Sequence, residues 1–137
     1  MLTVKSVLIL EDDNIETFLV KSELKKIQSV NSIFSAEKIS EAMNVLKVEF
    51  LDKNSYPDII LLDLKLGLSE GWEFIVKLQN QHPDVLLKSK IFILTNSTSQ
   101  RDIKKARSYN VAGYIEKPFN MQKLIPALAC EQFILVV

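Results

Sequence analysis

The sequence predicts an α/β fold in which a parallel sheet carries helices on both faces. Strand-like and helix-like patterns alternate five times along the 137 residues, and this alternation is typical of parallel strands joined by right-handed crossovers. The central apolar run, residues 59–62, has no polar interruption. Such a run favours a strand that is buried on both faces of its sheet.

The first strand and helix follow from residues 4–27. The apolar run of residues 7–10 ends at acidic residues, and residues 4–10 are therefore predicted to form the first strand. The next segment repeats apolar residues at helical spacing, with lysines outside the stripe. Asp13 is followed three residues later by Glu16, which is the spacing of a capping box. Asp13 is therefore predicted to cap this helix.

The second and third units are expected between residues 30 and 83. Residues 30–34 predict a weaker strand, and the helix after it is expected to begin at Ser35 or Glu37 and to fade near Asn54. The central strand follows and ends at Asp63. The third helix must end before Pro83, because the residue that precedes a proline is disfavoured in a helix.

The last two strands are predicted at residues 91–94 and 113–116, with a helix at residues 99–109 between them. The final helix contains Pro126, and a proline in a helix interior costs about 3 kcal/mol relative to alanine. We therefore expect this helix to bend or to begin late. Its predicted end, residues 133–137, is apolar on every side. Two interpretations stay open: neighbouring side chains cover this segment, or it forms a partner or dimer surface.

Length, charge and cysteine content limit the classes of function. A chain of this size fits a single domain over residues 1–137, with no output domain expected. The 17 basic and 17 acidic residues balance, which argues against nucleic acid or a membrane surface as the main partner. The single cysteine, Cys130, suits a reducing compartment. No apolar run approaches the roughly 20 residues of a membrane helix, so the expected location is the cytoplasm.

Four of the five predicted strands end in polar residues of complementary type. Glu11 and Asp12 follow the first strand, Asp63 the third, Thr95 the fourth and Lys117 the fifth. The carboxyl ends of parallel strands meet at one edge, where ligands bind. Carboxylates about 4 Å apart repel by about 4 kcal/mol per pair at a protein-like dielectric. A small divalent cation relieves this repulsion, and an all-oxygen ligand set fits Mg²⁺.

Such a site suits phosphoryl transfer, in which the protein mainly positions groups and neutralises charge. Asp63 is the candidate nucleophile, and Thr95 and Lys117 are the candidates to bind phosphoryl oxygens. The only histidine, His82, lies beside Pro83 and is predicted to be structural or exposed, so no zinc site is indicated. The chain has no nucleotide-binding loop, and its phosphoryl group must therefore come from another molecule.

Four segments carry a family pattern: residues 7–13, residues 58–63 with Gly71 eight residues after Asp63, residues 93–95, and residues 113–118. Together they resemble the receiver domain of two-component response regulators over essentially the whole chain. The resemblance implies a flavodoxin-like, doubly wound sheet of five parallel strands in the order 2-1-3-4-5. It also implies a stand-alone receiver of the chemotaxis-regulator type, a signalling module that is not an enzyme.

The resemblance further implies a metal site and a phosphoryl donor. Asp63 would accept a phosphoryl group from a histidine kinase or a histidine phosphotransfer protein. Asp12 and Asp63 would bind Mg²⁺ directly, Glu11 would bind it through water, and the backbone carbonyl of Lys65 would complete the protein ligands. Lys117 would precede a cis proline.

It implies, in addition, a switch and an output surface. Thr95 and Tyr114 would be the switch pair, with the hydroxyl moving to the phosphoryl group and the ring turning inward. The fourth helix, the fifth strand and the last helix would present the surface for a downstream target protein. The chain departs from the family pattern at Gly67, Asn96 and Pro126, which bears on phosphoryl lifetime and readout.

The same residues allow comparison with three other functions. A pseudo-receiver would keep the fold as a constitutive interaction module or as a homodimer through the C-terminal region. An aspartyl phosphohydrolase of the haloacid dehalogenase type needs a second aspartate where this chain has Lys65. A flavodoxin-like cofactor protein needs a phosphate cradle where this chain has the acidic residues Glu11 and Asp12.

Overall fold

A central parallel sheet organises the computed structural model, which describes residues 3–97 and 99–137. The strands are β1 (Ser6–Leu10), β2 (Ser32–Ala36), β3 (Ile59–Leu62), β4 (Lys65–Leu66), β5 (Ser69–Glu70), β6 (Lys90–Thr95), β7 (Gly113–Glu116) and β8 (Ile134–Val136). Within the described residues, six of them form one sheet in the order β2-β1-β3-β6-β7-β8. Every neighbouring pair in this sheet is parallel. β4 and β5 form a separate antiparallel hairpin.

The helices alternate with these strands. They are α1 (Asn14–Leu24), α2 (Ile39–Val45), α3 (Trp72–Gln81), α4 (Pro83–Lys88), α5 (Gln100–Ser108) and α6 (Met121–Ala129). α2 continues through a wider turn at Leu46–Phe50 and a tighter one at Leu51–Lys53. It ends at Asn54, whose φ is +56°. Within the described part of the chain, no helix is long and apolar enough to cross a membrane.

The sheet separates two apolar layers, as predicted. Alternate residues of each central strand face opposite sides, so Leu8 and Ile60 join one layer while Val7 and Ile59 join the other. The first layer contains side chains of α2, α3, α4 and α5, and the second contains those of α1 and α6. All four residues of β3 are buried, which confirms the prediction for the central strand.

The second strand and helix begin later than predicted. β2 spans Ser32–Ala36 because it pairs with the whole of β1, from Ser6 opposite Ser32 to Leu10 opposite Ala36. The strand therefore occupies the residues that were expected to begin the helix. α2 begins at Ile39, after Lys38 at its N-cap position. Long-range pairing decides these limits, which local residue patterns do not reveal.

The prediction that residues 133–137 end the last helix is wrong. α6 ends at Ala129, and the apolar tail forms β8 beside β7. Ile134 and Val136 pack against one apolar layer and Phe133 packs against the other. Gly113 of β7 makes this pairing possible, because a Cβ there would lie 2.8 Å from the carbonyl oxygen of Ile134. An apolar segment without helical periodicity suits such a position.

Pro126 lies inside α6, so the expectation of a late helix start is also wrong. The helix begins at Met121, where the side chain of Asn120 accepts a hydrogen bond from the Lys123 amide. Proline has no N–H to donate to the carbonyl four residues earlier, which here belongs to Gln122. The proline ring is exposed, so it avoids a clash in the core.

Candidate functional site

The structure brings the predicted carboxylates together at the carboxyl edge of the sheet. Glu11 and Asp12 directly follow β1, and Asp63 directly follows β3. One carboxylate oxygen from each of the three residues lies within 4.8 Å of those of the other two. Glu11 and Asp63 are buried, whereas Asp12 is exposed. The cluster therefore has two shielded carboxylates and one that faces solvent.

Lys117 joins this cluster from the end of β7. Its Nζ lies 2.8 Å from Oε1 of Glu11 and 3.4 Å from Oδ2 of Asp63. Burial lowers the pKa of Lys117, but the hydrogen bond to Glu11 and the charges of Asp63 and Glu11 outweigh it and raise the pKa above its ordinary value. The lysine is thus held in its charged form between two carboxylates.

One lysine does not neutralise three carboxylates, and Glu11 shows the consequence. Burial, together with the neighbouring Asp63, raises the pKa of Glu11 from 4.5 to about 8, although Lys117 acts in the opposite direction. A raised carboxyl pKa means that negative charge is disfavoured at this position. The residues therefore fit a hard divalent cation, which would supply the missing positive charge to an all-oxygen ligand set.

The loop after Asp63 is tied to the cluster by its backbone. The amide of Lys65 donates to Oδ1 of Asp63 at 3.2 Å, and the amide of Gly67 donates to Oδ2 of Asp12 at 2.8 Å. Gly67 has a φ of +63°, which glycine adopts without the steric cost of a side chain. The hairpin of β4 and β5 thereby holds the backbone of Lys65 beside the carboxylates, while Leu68 at its tip is fully exposed.

Asp13 stands next to the cluster and caps α1, as predicted. Its Oδ1 accepts from the amides of Ile15 and Glu16 at 2.8 and 3.3 Å. The reciprocal bond of a capping box is not made by Glu16. The amide of Asp13 donates instead to Oε2 of Glu11 at 3.2 Å. The cap therefore helps to orient Glu11, which links the start of α1 to the site.

Thr95 and Tyr114 meet at a residue that the sequence did not single out, Ser97. The amide of Ser97 donates to the Thr95 hydroxyl at 3.1 Å, and the Tyr114 hydroxyl donates to the Ser97 carbonyl at 2.6 Å. The Tyr114 ring is completely buried, and this burial raises the pKa of its phenol. Both bonds use the backbone of Ser97, so its residue type gave no signal of them.

Ser97 also connects the site to α5. Its hydroxyl donates to Oδ2 of Asp102 at 2.9 Å, and the N-cap residue Ser99 accepts from the Asp102 amide. The end of β6 and the first turn of α5 are thus joined by side-chain hydrogen bonds.

A cavity of about 760 Å³ opens beside Asp63, and Thr95, Lys117, Trp72 and Arg101 contribute to its lining. The Trp72 ring stacks on Tyr109, with centroids 5.6 Å apart. Lys105 lies 5.4 Å from the centroid of the Trp72 ring. The cavity wall is therefore in contact with α5 and with the residue that follows it. His82 lies between α3 and α4, is half-buried and does not line this cavity.

Comparison with known proteins gives one family. The response regulator receiver domain model matches residues 7–129. The chain is 26% identical to the probable methanogenesis regulatory protein FilR2 of Methanothrix harundinacea, over 86% of this chain and 75% of that protein. It is 30% identical to the transcriptional regulatory protein MalR of Bacillus subtilis, over 90% of this chain but only 48% of that protein. The chain thus spans about half the length of MalR.

A solved structure gives the same result. The chain aligns with a two-component response regulator from Cytophaga hutchinsonii at a TM-score of 0.85 and 28% identity. The alignment covers 93% of this chain and 96% of that one. Three observations indicate the same family: the order β2-β1-β3-β6-β7 within the sheet, the acidic cluster, and the match to the family model. The chain belongs to the response regulator receiver domain family.

Proposed function

We propose that this chain is a phosphoacceptor module of a two-component phosphorelay in which Asp63 takes the phosphoryl group. One observation carries the proposal: Asp63 lies at an open cavity with Lys117 3.4 Å away and with Glu11 and Asp12 in the same cluster. This arrangement supplies a nucleophile together with the groups that neutralise charge during phosphoryl transfer. The donor is a histidine kinase or a histidine phosphotransfer protein.

In the proposed reaction a carboxylate oxygen of Asp63 attacks the phosphorus of a phosphohistidine. A P–O bond forms, the P–N bond breaks, and its electron pair returns to the imidazole nitrogen of the donor. Lys117 and the Thr95 hydroxyl bind phosphoryl oxygens. Asp12, Asp63, the Lys65 carbonyl and, through water, Glu11 would hold Mg²⁺, which when bound neutralises charge on the phosphoryl oxygens.

Exposed apolar side chains on α1 support a protein as donor. The exposed fractions of Ile15 and Phe18 are 72% and 68%, although both lie in the helix that begins directly after Glu11, Asp12 and Asp13. Exposed apolar groups beside a reactive site are typical of surfaces that bind another protein. A small phosphodonor such as acetyl phosphate would not need this surface.

The proposed output is a change in the surface formed by α5, β7 and α6. Phosphorylation adds roughly two negative charges, and the Thr95 hydroxyl would turn toward them. The contact between Ser97 and both Thr95 and Tyr114 supports a coupled rearrangement of this loop. The bond from Ser97 to Asp102 supports its transmission to α5. A downstream protein would then bind this surface with altered affinity.

A second candidate function is a pseudo-receiver that acts as a constitutive interaction module. The exposed apolar residues of the C-terminal segment favour it. The complete cluster of Glu11, Asp12, Asp63 and Lys117 favours phosphorylation. Lys65 stands where an aspartyl phosphohydrolase of the haloacid dehalogenase type has its second aspartate, which argues against hydrolysis of small phosphate esters as the main activity.

Trp72 provides a direct test, because it lines the cavity and stacks on Tyr109. Its fluorescence is followed while Mg²⁺ and then beryllofluoride or acetyl phosphate are added, with Asp63→Asn as the matched control. The proposal expects a Mg²⁺-dependent change that the variant lacks, and a mass gain of one phosphoryl group on the wild-type protein. A wild-type protein that gains no mass and binds no beryllofluoride would leave the pseudo-receiver as the better description.

A further inference from the structure

β8 leaves a row of backbone groups without partners at one edge of the sheet. In the part of the chain that the structure describes, its only neighbour in the sheet is β7. The amide of Ile134 donates to the carbonyl of Ala112 at 3.3 Å, so this residue faces β7. Successive residues of a strand point their N–H and C=O groups to opposite sides. The N–H and C=O of Leu135 therefore point to the free side.

The same segment exposes apolar side chains. The exposed fraction is 40% for Leu135 and 72% for Val137, whereas Ile134 and Val136 pack against the core. No charged residue occurs from Gln132 to Val137. Sheet edges in monomeric proteins are usually protected by charged side chains, by proline or by a bulge. β8 has neither a charge nor a proline, and only its shortness limits pairing.

The opposite edge of the sheet is better protected. β2 has the polar residues Ser32 and Ser35 within it, and Glu37 and Lys38 follow it directly. Four of its residues are only partly exposed, and Ala36 is buried. The two edges therefore differ in chemistry, and the apolar edge at β8 is the one that favours addition of a further strand.

We propose that the free edge of β8 pairs with β8 of a second copy of this chain, antiparallel and about a two-fold axis at Leu135. In this register Leu135 faces its own counterpart, and Phe133 of each copy lies opposite Val137 of the other. Each exposed apolar side chain then gains an apolar neighbour, and no like charges meet within the segment. An identical strand is thus a self-complementary partner, as a two-fold interface requires.

The contact is small, so the dimer is expected to have low affinity and to form only at high protein concentration. A pair of short strands buries less than the roughly 1,200 Å² that marks stable interfaces. The pairing involves the sheet edge alone and does not require phosphorylation of Asp63. It can therefore be tested on the unmodified protein, and its failure would leave the proposed function untouched.

Sedimentation equilibrium of the full chain over a concentration series tests the proposal. The wild-type mass is expected to rise from one chain mass toward two. Leu135→Pro should remain at one chain mass, because it deletes the amide that would bond to the partner strand. This amide makes no bond to β7, and proline is tolerated at sheet edges, so the variant should keep its fold. Leu87→Asn is the matched control: Leu87 is 74% exposed on α4, and this variant should dimerise like the wild type.

A second measurement guards against misfolding of the proline variant. Hydrogen exchange of the Leu135 amide in the wild-type protein should slow as concentration rises, because that N–H becomes bonded in the dimer. The amide of Leu68, an exposed residue at the tip of the β4 and β5 hairpin, should show no such dependence on concentration. A wild-type mass that stays at one chain up to about 1 mM, where binding contributes only about 4 kcal/mol, overturns the proposal. Dimerisation of Leu135→Pro equal to that of the wild type also overturns it.

Discussion

Gly71 lies against the backbone of Asp63, so closely that a Cβ on Gly71 would stand 2.3 Å from the Asp63 carbonyl oxygen. The φ of Gly71 is −57°, a value open to any residue, so the requirement for glycine is purely steric. The amide of Gly71 also donates to the carbonyl of Leu64 at 2.8 Å. The first turn of α3 is thus packed directly on the loop that follows the candidate nucleophile.

Gly71→Ala is expected to lower the free energy of unfolding by about 1–3 kcal/mol, the usual cost of overpacking. It should also weaken beryllofluoride binding, because the Asp63 backbone must move. Urea denaturation and fluorescence titration measure the two effects. Gln79→Ala, at an exposed position of the same helix, is the control and should change neither property. Equal effects of both variants would contradict the steric explanation.

Stability without divalent cations should fall as pH rises from about 5 to 8. The pKa of Glu11 is raised from 4.5 to about 8 in the folded protein, so the folded state binds the proton more tightly than the unfolded state. The resulting stabilisation is present at low pH and is lost as pH rises through this window. The raised pKa of Lys117 acts only above 10.5. Urea denaturation in EDTA across this range measures the slope.

Glu11→Gln should flatten that slope, because the variant has no carboxyl group to titrate at this position. Glu41→Gln, at an exposed position on α2, should leave the slope unchanged. A slope that survives in Glu11→Gln would show that another group is responsible.

Pro126→Ala is expected to stabilise the protein by up to about 2 kcal/mol. Alanine restores the N–H that proline cannot donate within α6, and part of this gain is offset by the greater freedom of the unfolded chain. The side chain at this position is exposed, so little packing is lost. Thermal or urea denaturation checks the result. A loss of stability would mean that the proline ring makes a contact that α6 needs.

Tyr114→Phe should cost about 1 kcal/mol of unfolding free energy, because the Ser97 carbonyl loses the donor that lies 2.6 Å away. The ring itself stays in the core. The side chain of Asp63 accepts hydrogen bonds from the Lys65 amide and from Lys117, not from this hydroxyl. Binding of Mg²⁺ should therefore change little. Urea denaturation and Mg²⁺ titration of the variant separate the two effects. A large loss of Mg²⁺ affinity would indicate that the phenol also positions the acidic cluster.

The parts of the fold that sequence reasoning predicted share a strong local signal. β3 is an uninterrupted apolar run directly before Asp63, and burial on both faces of the sheet favours such a run. The gathering of Glu11, Asp12, Asp63 and Lys117 followed from the geometry of parallel strands. Their roles in phosphoryl transfer stay predictions until the experiments above are done.

The parts that were wrong or missed depend on contacts between distant segments. Residues 133–137 are apolar without periodicity, and such a segment does not distinguish a helix from a strand. The segment becomes a strand because it can pair with the edge of β7. Ser97 acts through its backbone, so no residue type marks it. The turn of the β4 and β5 hairpin is held to the acidic cluster by the bond from the Gly67 amide to Asp12, a contact across 55 positions of the chain.

Gly113 determines how wide the sheet can be. Its missing side chain leaves the space into which the Ile134 backbone fits, so an added methyl group would force β8 away from β7. A larger residue at this position would release β8 while leaving the carboxyl edge of the sheet, three residues further along at Glu116, in place. A bulky residue in place of this glycine would therefore turn residues 133–137 from part of the domain into a free tail. The border between domain and tail in this chain is thus set at a residue that lies 20 positions before the segment itself.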